Sequence, residues 1–220
     1  MRYTNFGRGM AGIALVVLSS ACSSSLSLDA AAQGEARVLM SRDASPSFMS
    51  APSESPDGSR SVSQDSVQSL VVTVVGIEVL MEGSSDTSAA SESWTTLDLA
   101  SSFTLDLMAL PTGAAAAQLI ATGDVRAGSY THVRLRVTNP RIVFTGDMSF
   151  GLGGILQGGT EYQVVIPSSQ QTGIKVAVGV TVQADASTDI ALVFDTAESL
   201  AHVAVTGTGQ VTLSPVIRAN

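Results

Sequence analysis

The chain has 220 residues, with 11 Lys or Arg against 19 Asp or Glu and a formal charge of -8. A chain so poor in basic residues does not suit nucleic acid, whose phosphates call for clustered Lys and Arg. The single cysteine excludes an intrachain disulfide and a cysteine-based zinc site, and an aromatic content of 5% is too low for the girdles of a membrane barrel.

In chain order, the first segment reads as an export signal. Arg2 and Arg8 supply positive charge ahead of the apolar run Met10 to Leu18, which is too short to span a bilayer. Leu18-Ser19-Ser20-Ala21-Cys22 follows and resembles the lipobox of bacterial lipoproteins. That resemblance implies cleavage after Ala21 and lipidation of Cys22, with enough acyl chains for stable anchoring. Gly7-Arg8-Gly9-Met10-Ala11-Gly12 fits a dinucleotide fingerprint in letters only, because it follows no strand and lies inside the signal. Residues 22–66, which begin with Cys22, are rich in Ser, Ala and Pro and are expected to form a disordered tether.

The folded domain is expected over 67–218. Val71, Thr73, Val75, Ile77, Val79 and Met81 alternate along a long strand with a predicted bulge at Gly76. Short strands are expected at Trp94–Leu97, around Phe103–Leu107 and around Leu119–Ile120. In the next strand Val133, Leu135 and Val137 should face inward, with Tyr130, His132, Arg134 and Arg136 outward. The glycine-rich stretch Gly146 to Gly159 reads as a mobile loop. Ile174, Val176, Val178, Val180 and Val182 alternate with Lys175, Ala177, Gly179, Thr181 and Gln183, and Ile190, Leu192 and Phe194 repeat the pattern, which predicts a hairpin. Asp195 and Glu198 have capping-box spacing for one helical turn. Many short strands between Gly, Pro and Asn turns predict an all-β fold, an antiparallel β-sandwich of immunoglobulin- or transthyretin-like type.

Several pieces occur in an order that resembles a family of bacterial and archaeal lipoprotein domains, domain of unknown function 4382. They are Trp94-Thr95-Thr96-Leu97, Leu105 to Leu110, Ala127 to Leu135, Ile166-Pro167-Ser168-Ser169 through Lys175, Phe194 to Ala197 with Ser199, and Leu213 to Arg218. The resemblance implies a secreted sandwich behind a lipid anchor and brings no catalytic or binding residues with it.

The search for chemistry turns up little. His132 and His202 are the only histidines; each alternates with inward valines, and no G-x-S-x-G motif accompanies them. Asp106 and Asp195 could form an acid/base or calcium pair, although strand-end aspartates commonly satisfy backbone N–H groups. Asp185 and Asp189 flank a turn without the spacing of a calcium loop. The expectation is a non-enzymatic envelope module, exported and lipid-anchored to the cell membrane or outer membrane. It should have no cofactor or metal, contact the membrane through its N-terminal lipid, and serve an unknown protein or glycan. Tyr130, His132, Arg134 and Arg136 are the candidate binding face. A small hydrolase or calcium-dependent enzyme using carboxylates is the alternative.

Overall fold

The structure is a computed structural model and describes residues 32–43, 59–84, 94–99, 101–150, 154–167, 173–206 and 209–220. The predicted signal, Cys22 and residues 44–58 of the predicted tether lie outside the described residues. In chain order the strands are β1 Gln33–Arg42, β2 Val67–Met81, β3 Trp94–Leu97, β4 Phe103–Asp106, β5 Gln118–Arg126, β6 Gly128–Phe144 and β7 Met148–Ser149. There follow β8 Ile155–Leu156, β9 Glu161–Val165, β10 Ile174–Val182, β11 Ser187–Asp195, the helical turn α1 Thr196–Ser199, β12 Ala204–Val205, β13 Val211–Thr212 and β14 Val216–Ala219.

Two sheets make the sandwich. The smaller has the order β14-β11-β1-β5; the larger runs β12-β13-β9-β6-β2-β3, with β10 also on β6 and β4 also on β2. Alternation puts Ala36, Val38 and Met40 of β1 and Ile190, Leu192 and Phe194 of β11 on one inner face. Val72, Val74, Ile77 and Val79 of β2 and Val133, Leu135 and Val137 of β6 meet them from the other, all in one buried core. Along one margin an antiparallel bridge from Asp98 to Thr122 joins the end of β3 to β5. The expected bulge at Gly76 is present, as a register shift between Val74 and Gly76 against β6.

Four expectations need correction. The sheets are mixed, because β1 runs parallel to β11 and β13 parallel to β9. The runs Ile174–Val182 and Ser187–Asp195 do not form a hairpin: β10 pairs with β6, whereas β11 pairs with β1 and β14. Their apolar faces do share the core. The turn between them crosses from one sheet to the other, with Asp185 at φ 55° and its N–H donating to the Gln33 carbonyl at 2.8 Å.

The third correction concerns the tether and the domain start. Folded structure begins at β1, well before residue 67, and β1 lies in the middle of its sheet. The first half of its outward face is polar, with Gln33, Glu35 and Arg37 ahead of Leu39, which gives a linker-like composition, but each of the two charges has partners across the sheet. Glu35 accepts from Thr122 at 2.9 Å and from the Ser187 hydroxyl, and Arg37 Nη1 lies 3.4 Å from Asp189 Oδ1. Gly34 is required by close approach, since a Cβ there would lie 2.0 Å from the Gln183 carbonyl.

Fourth, Gly146 to Gly159 is not simply a loop. It contains the small β7–β8 pair, anchored by buried Phe150 and Leu156, with Phe150 tilted against Phe144 at 6.0 Å between ring centres; residues 151–153 lie outside the described residues.

Met40 is fully buried at the centre of this arrangement. Met40→Ala should cost about 2–5 kcal/mol in denaturant unfolding, the range for large-to-small core changes. A chain beginning at Ser59, which lacks β1, should show no cooperative melt by circular dichroism.

Candidate functional site

The strand β6 and its neighbours determine which side chains meet on the outer face of the larger sheet. Across the β2–β6 ladder Leu80 opposes His132, Glu78 opposes Arg134 and Gly76 opposes Arg136. On β3, Trp94 opposes Leu80 and Thr96 opposes Glu78; on β10, Lys175 opposes Arg134. Cross-strand neighbours of this kind are within reach of long side chains.

Glu78 is only 7% exposed, although it lies on the outer face. Its Oε2 accepts from Arg134 Nε, and its Oε1 lies 3.7 Å from Arg136 Nη1. The Arg134 guanidinium also covers the Trp94 ring, 4.3 Å from its centre, a cation–π arrangement. Arg134 is therefore clamped between a carboxylate and an indole, with its side chain 11% exposed. Arg136 differs. Its side chain is 59% exposed and its stem passes over Gly76. Two guanidiniums thus share one buried carboxylate, and the second faces water.

Tyr130 does not belong to this face. Met81 opposes Tyr130 while Leu80 opposes His132, so Thr131 is an extra residue on β6 and the alternation changes phase there. Tyr130 is buried and its hydroxyl donates to the Arg126 carbonyl at 2.8 Å. Burial pushes its phenol pKa up, with a smaller opposing effect from Arg126. Of the predicted binding face, His132, Arg134 and Arg136 remain on the outside; His132 Nδ1 lies 3.0 Å from the Thr131 hydroxyl.

The fold does not bring the two histidines together. His132 lies beside Leu80, toward the end of β2, whereas His202 adjoins Val203, which bridges to Arg60 ahead of the start of β2. The carboxylates Asp106 and Asp195 hold backbone. Asp106 Oδ1 accepts from the N–H of Leu70 at 3.1 Å and of Met108 at 3.0 Å. Asp195 caps α1 through the N–H of Glu198 at 2.8 Å and pairs with Arg218 at 3.0 Å.

An open pocket of about 340 Å³ lies where β1, β5 and the β10–β11 turn meet, with Glu35, Asp124 and Asp185 in its wall. Hydrogen bonds from Ser187 and then Thr122 hold the Glu35 carboxyl below its ordinary pKa. Among the described residues no group of three or more His, Cys, Asp or Glu is placed to hold a metal ion.

Sequence reasoning missed Glu78 and placed Trp94 only as the start of a short strand. The available signal was a single carboxylate within an otherwise apolar strand, which burial obliges to find a cation.

Two outcomes test this geometry. Glu78→Ala should cost about 3–5 kcal/mol by leaving Arg134 buried without its partner, whereas Arg136→Ala should stay within about 0.5 kcal/mol. Arg134→Ala should also change Trp94 fluorescence, which Arg136→Ala should leave alone. For Glu35 the folded pKa is depressed, so its contribution is full above the ordinary value of 4.5 and is lost as pH falls through the lowered folded value. Ser187→Ala should move the midpoint of acid unfolding to higher pH.

The family model described as Domain of unknown function (DUF4382) matches residues 60–215. No curated protein and no solved structure matches the chain.

Proposed function

Because this chain belongs to the family of unknown function DUF4382, we propose that it is a lipid-anchored β-sandwich of the cell envelope with a non-enzymatic role, binding an anionic group of a partner protein or glycan on its outer sheet face. The observation that carries the binding part is the pair of guanidiniums around Glu78. Arg134 neutralises the carboxylate and is itself fixed by Trp94, which leaves the exposed donors of Arg136 for a second acceptor. His132 lies on the same face, opposite Leu80.

Anchoring is supported by Arg2 and Arg8, the apolar run Met10 to Leu18, and Ala21 ahead of the sole cysteine, Cys22. The carboxylate-enzyme alternative has less support. Asp106 and Asp195 each use oxygens to hold backbone N–H groups, and they stand on separate sheets.

Cys22→Ala should release the protein from the membrane fraction or leave it unprocessed; mutant protein that is correctly cleaved and still partitions with membranes would sink the anchor. Arg136→Ala should weaken retention on anionic envelope polymer, more at low salt than at high, with an unchanged melting temperature. Wild-type protein without salt-sensitive retention would leave the outer face without this role.

A further inference from the structure

Strand β5 lies at the edge of the smaller sheet, with β1 on one side. On its other side the one bridge among the described residues joins Thr122 to Asp98, just past β3. The approach there is close, since a Cβ on Gly123 would sit 3.2 Å from the Asp98 nitrogen. The margin of the sandwich is thus closed at Thr122 and Gly123. Among the described residues no strand pairs with the outer edge of β5 at 118–121. Such an edge presents N–H and C=O groups on which another strand can add, and it is usually guarded by charge or proline. Gln118, Leu119, Ile120 and Ala121 supply neither. Ile120 is a bulge, standing between the Leu39–Leu119 and Val38–Ala121 pairs. It bends the strand, which disfavours a long flat partner and suits a short one.

A pocket of about 320 Å³ opens along this edge, with residues 119–122 in its wall. Successive side chains of a strand leave opposite faces, so four consecutive residues share a pocket only where it runs along the strand's edge. An occupant therefore meets the main chain of β5 as well as its side chains. Leu99 and Phe103 complete the apolar wall, both packed against the core and only partly buried, and Leu119 is 46% exposed. The volume is at the small end for ligand pockets and suits one large side chain. Asp98 is the sole ionisable group of the wall; it is exposed, and among the described residues no ion pair engages it.

We propose that this margin binds a short extended peptide that adds as a strand to β5 at 118–121, seats one large apolar side chain in the pocket and offers a Lys or Arg to Asp98. Main-chain hydrogen bonds supply affinity, and the pocket and the carboxylate supply selectivity. Positions two apart on a strand share a face, about 7 Å from each other, so the apolar side chain and the cation approach from the same side. A second copy of β5 fits less well, because residues 117–125 contain no cation and bring Asp124. The site is separate from the outer-face arginines and does not depend on the Cys22 anchor.

The test follows fluorescence anisotropy of a dye-labelled, C-terminally amidated peptide, Thr-Phe-Thr-Lys-Thr, titrated with the full chain at low salt. Binding should saturate, and should weaken at least about tenfold when the peptide's Phe is replaced by Ala or its alternate backbone nitrogens are methylated. Leu119→Lys, at an exposed position, should weaken it at least about tenfold with an unchanged melting temperature. Asp98→Asn should weaken it about two- to fivefold, a difference that disappears at high salt. Arg136→Ala should bind the peptide as wild type does. Wild-type protein with no saturable binding up to about 1 mM overturns the proposal. Binding that is indifferent to backbone methylation, to Leu119→Lys or to Asp98→Asn overturns it equally, and loss of binding in Arg136→Ala would move the peptide to the outer face.

Discussion

The pairing of β2 with β6 is the constraint on which the larger sheet depends. These are its two longest strands, and every other strand of that sheet joins through one of them. The ladder is not regular. Its register shifts several times, at Gly76 and at Thr131 among other places. Each shift reassigns side chains between core and solvent, because a one-residue slip inverts a strand's alternation. The phase change at Thr131 sends Tyr130 inward while His132 stays on the outer face. Without it, a phenol would join the charged face and the end of the core would lose a ring.

That ladder also explains why a carboxylate is buried on the outer face of a sheet. Glu78 is directly opposite Arg134, and Trp94, opposite Leu80 on β3, places its ring under the guanidinium. Burying an ion pair is costly unless geometry and further contacts offset the lost hydration. Here the indole adds a second attraction to the same cation, and Arg136 adds a second cation to the same anion. The group is polar in composition and packed like a small core.

Local features were legible in the sequence and non-local ones were not. The alternation of β10 was readable because Lys175 and Thr181 face water while Val176 and Val182 are buried. The cap of Asp195 on Glu198 was readable because both ends of the hydrogen bond lie three positions apart. The partner of each strand was not: β10 and β11 are adjacent in sequence and share apolar faces, yet they belong to different sheets. The phase of Tyr130 depends on a bulge that only the facing strand reveals. The Glu78–Arg134 pair spans 56 positions, so neither residue announces the other. Gln33, Glu35 and Arg37 on the outer face of β1 made a central strand resemble a linker.

The placement of β1 also orders events in time. Its hydrogen-bonded neighbours are β5 and β11, and Glu35 reaches Ser187 across 152 positions. A strand near the start of the chain is thus among the first to be synthesised and must wait for one of the last before its sheet can close. Contacts of such long range bring slow folding, because chain entropy is lost before the contacts compensate for it. During that interval both edges of β1 present unpaired N–H and C=O groups beside Val38 and Met40, the kind of surface on which strands of other chains assemble. The charges at Glu35 and Arg37 interrupt its apolar run, so the residues that disguise β1 as a linker also guard it against aggregation while the rest of the chain arrives.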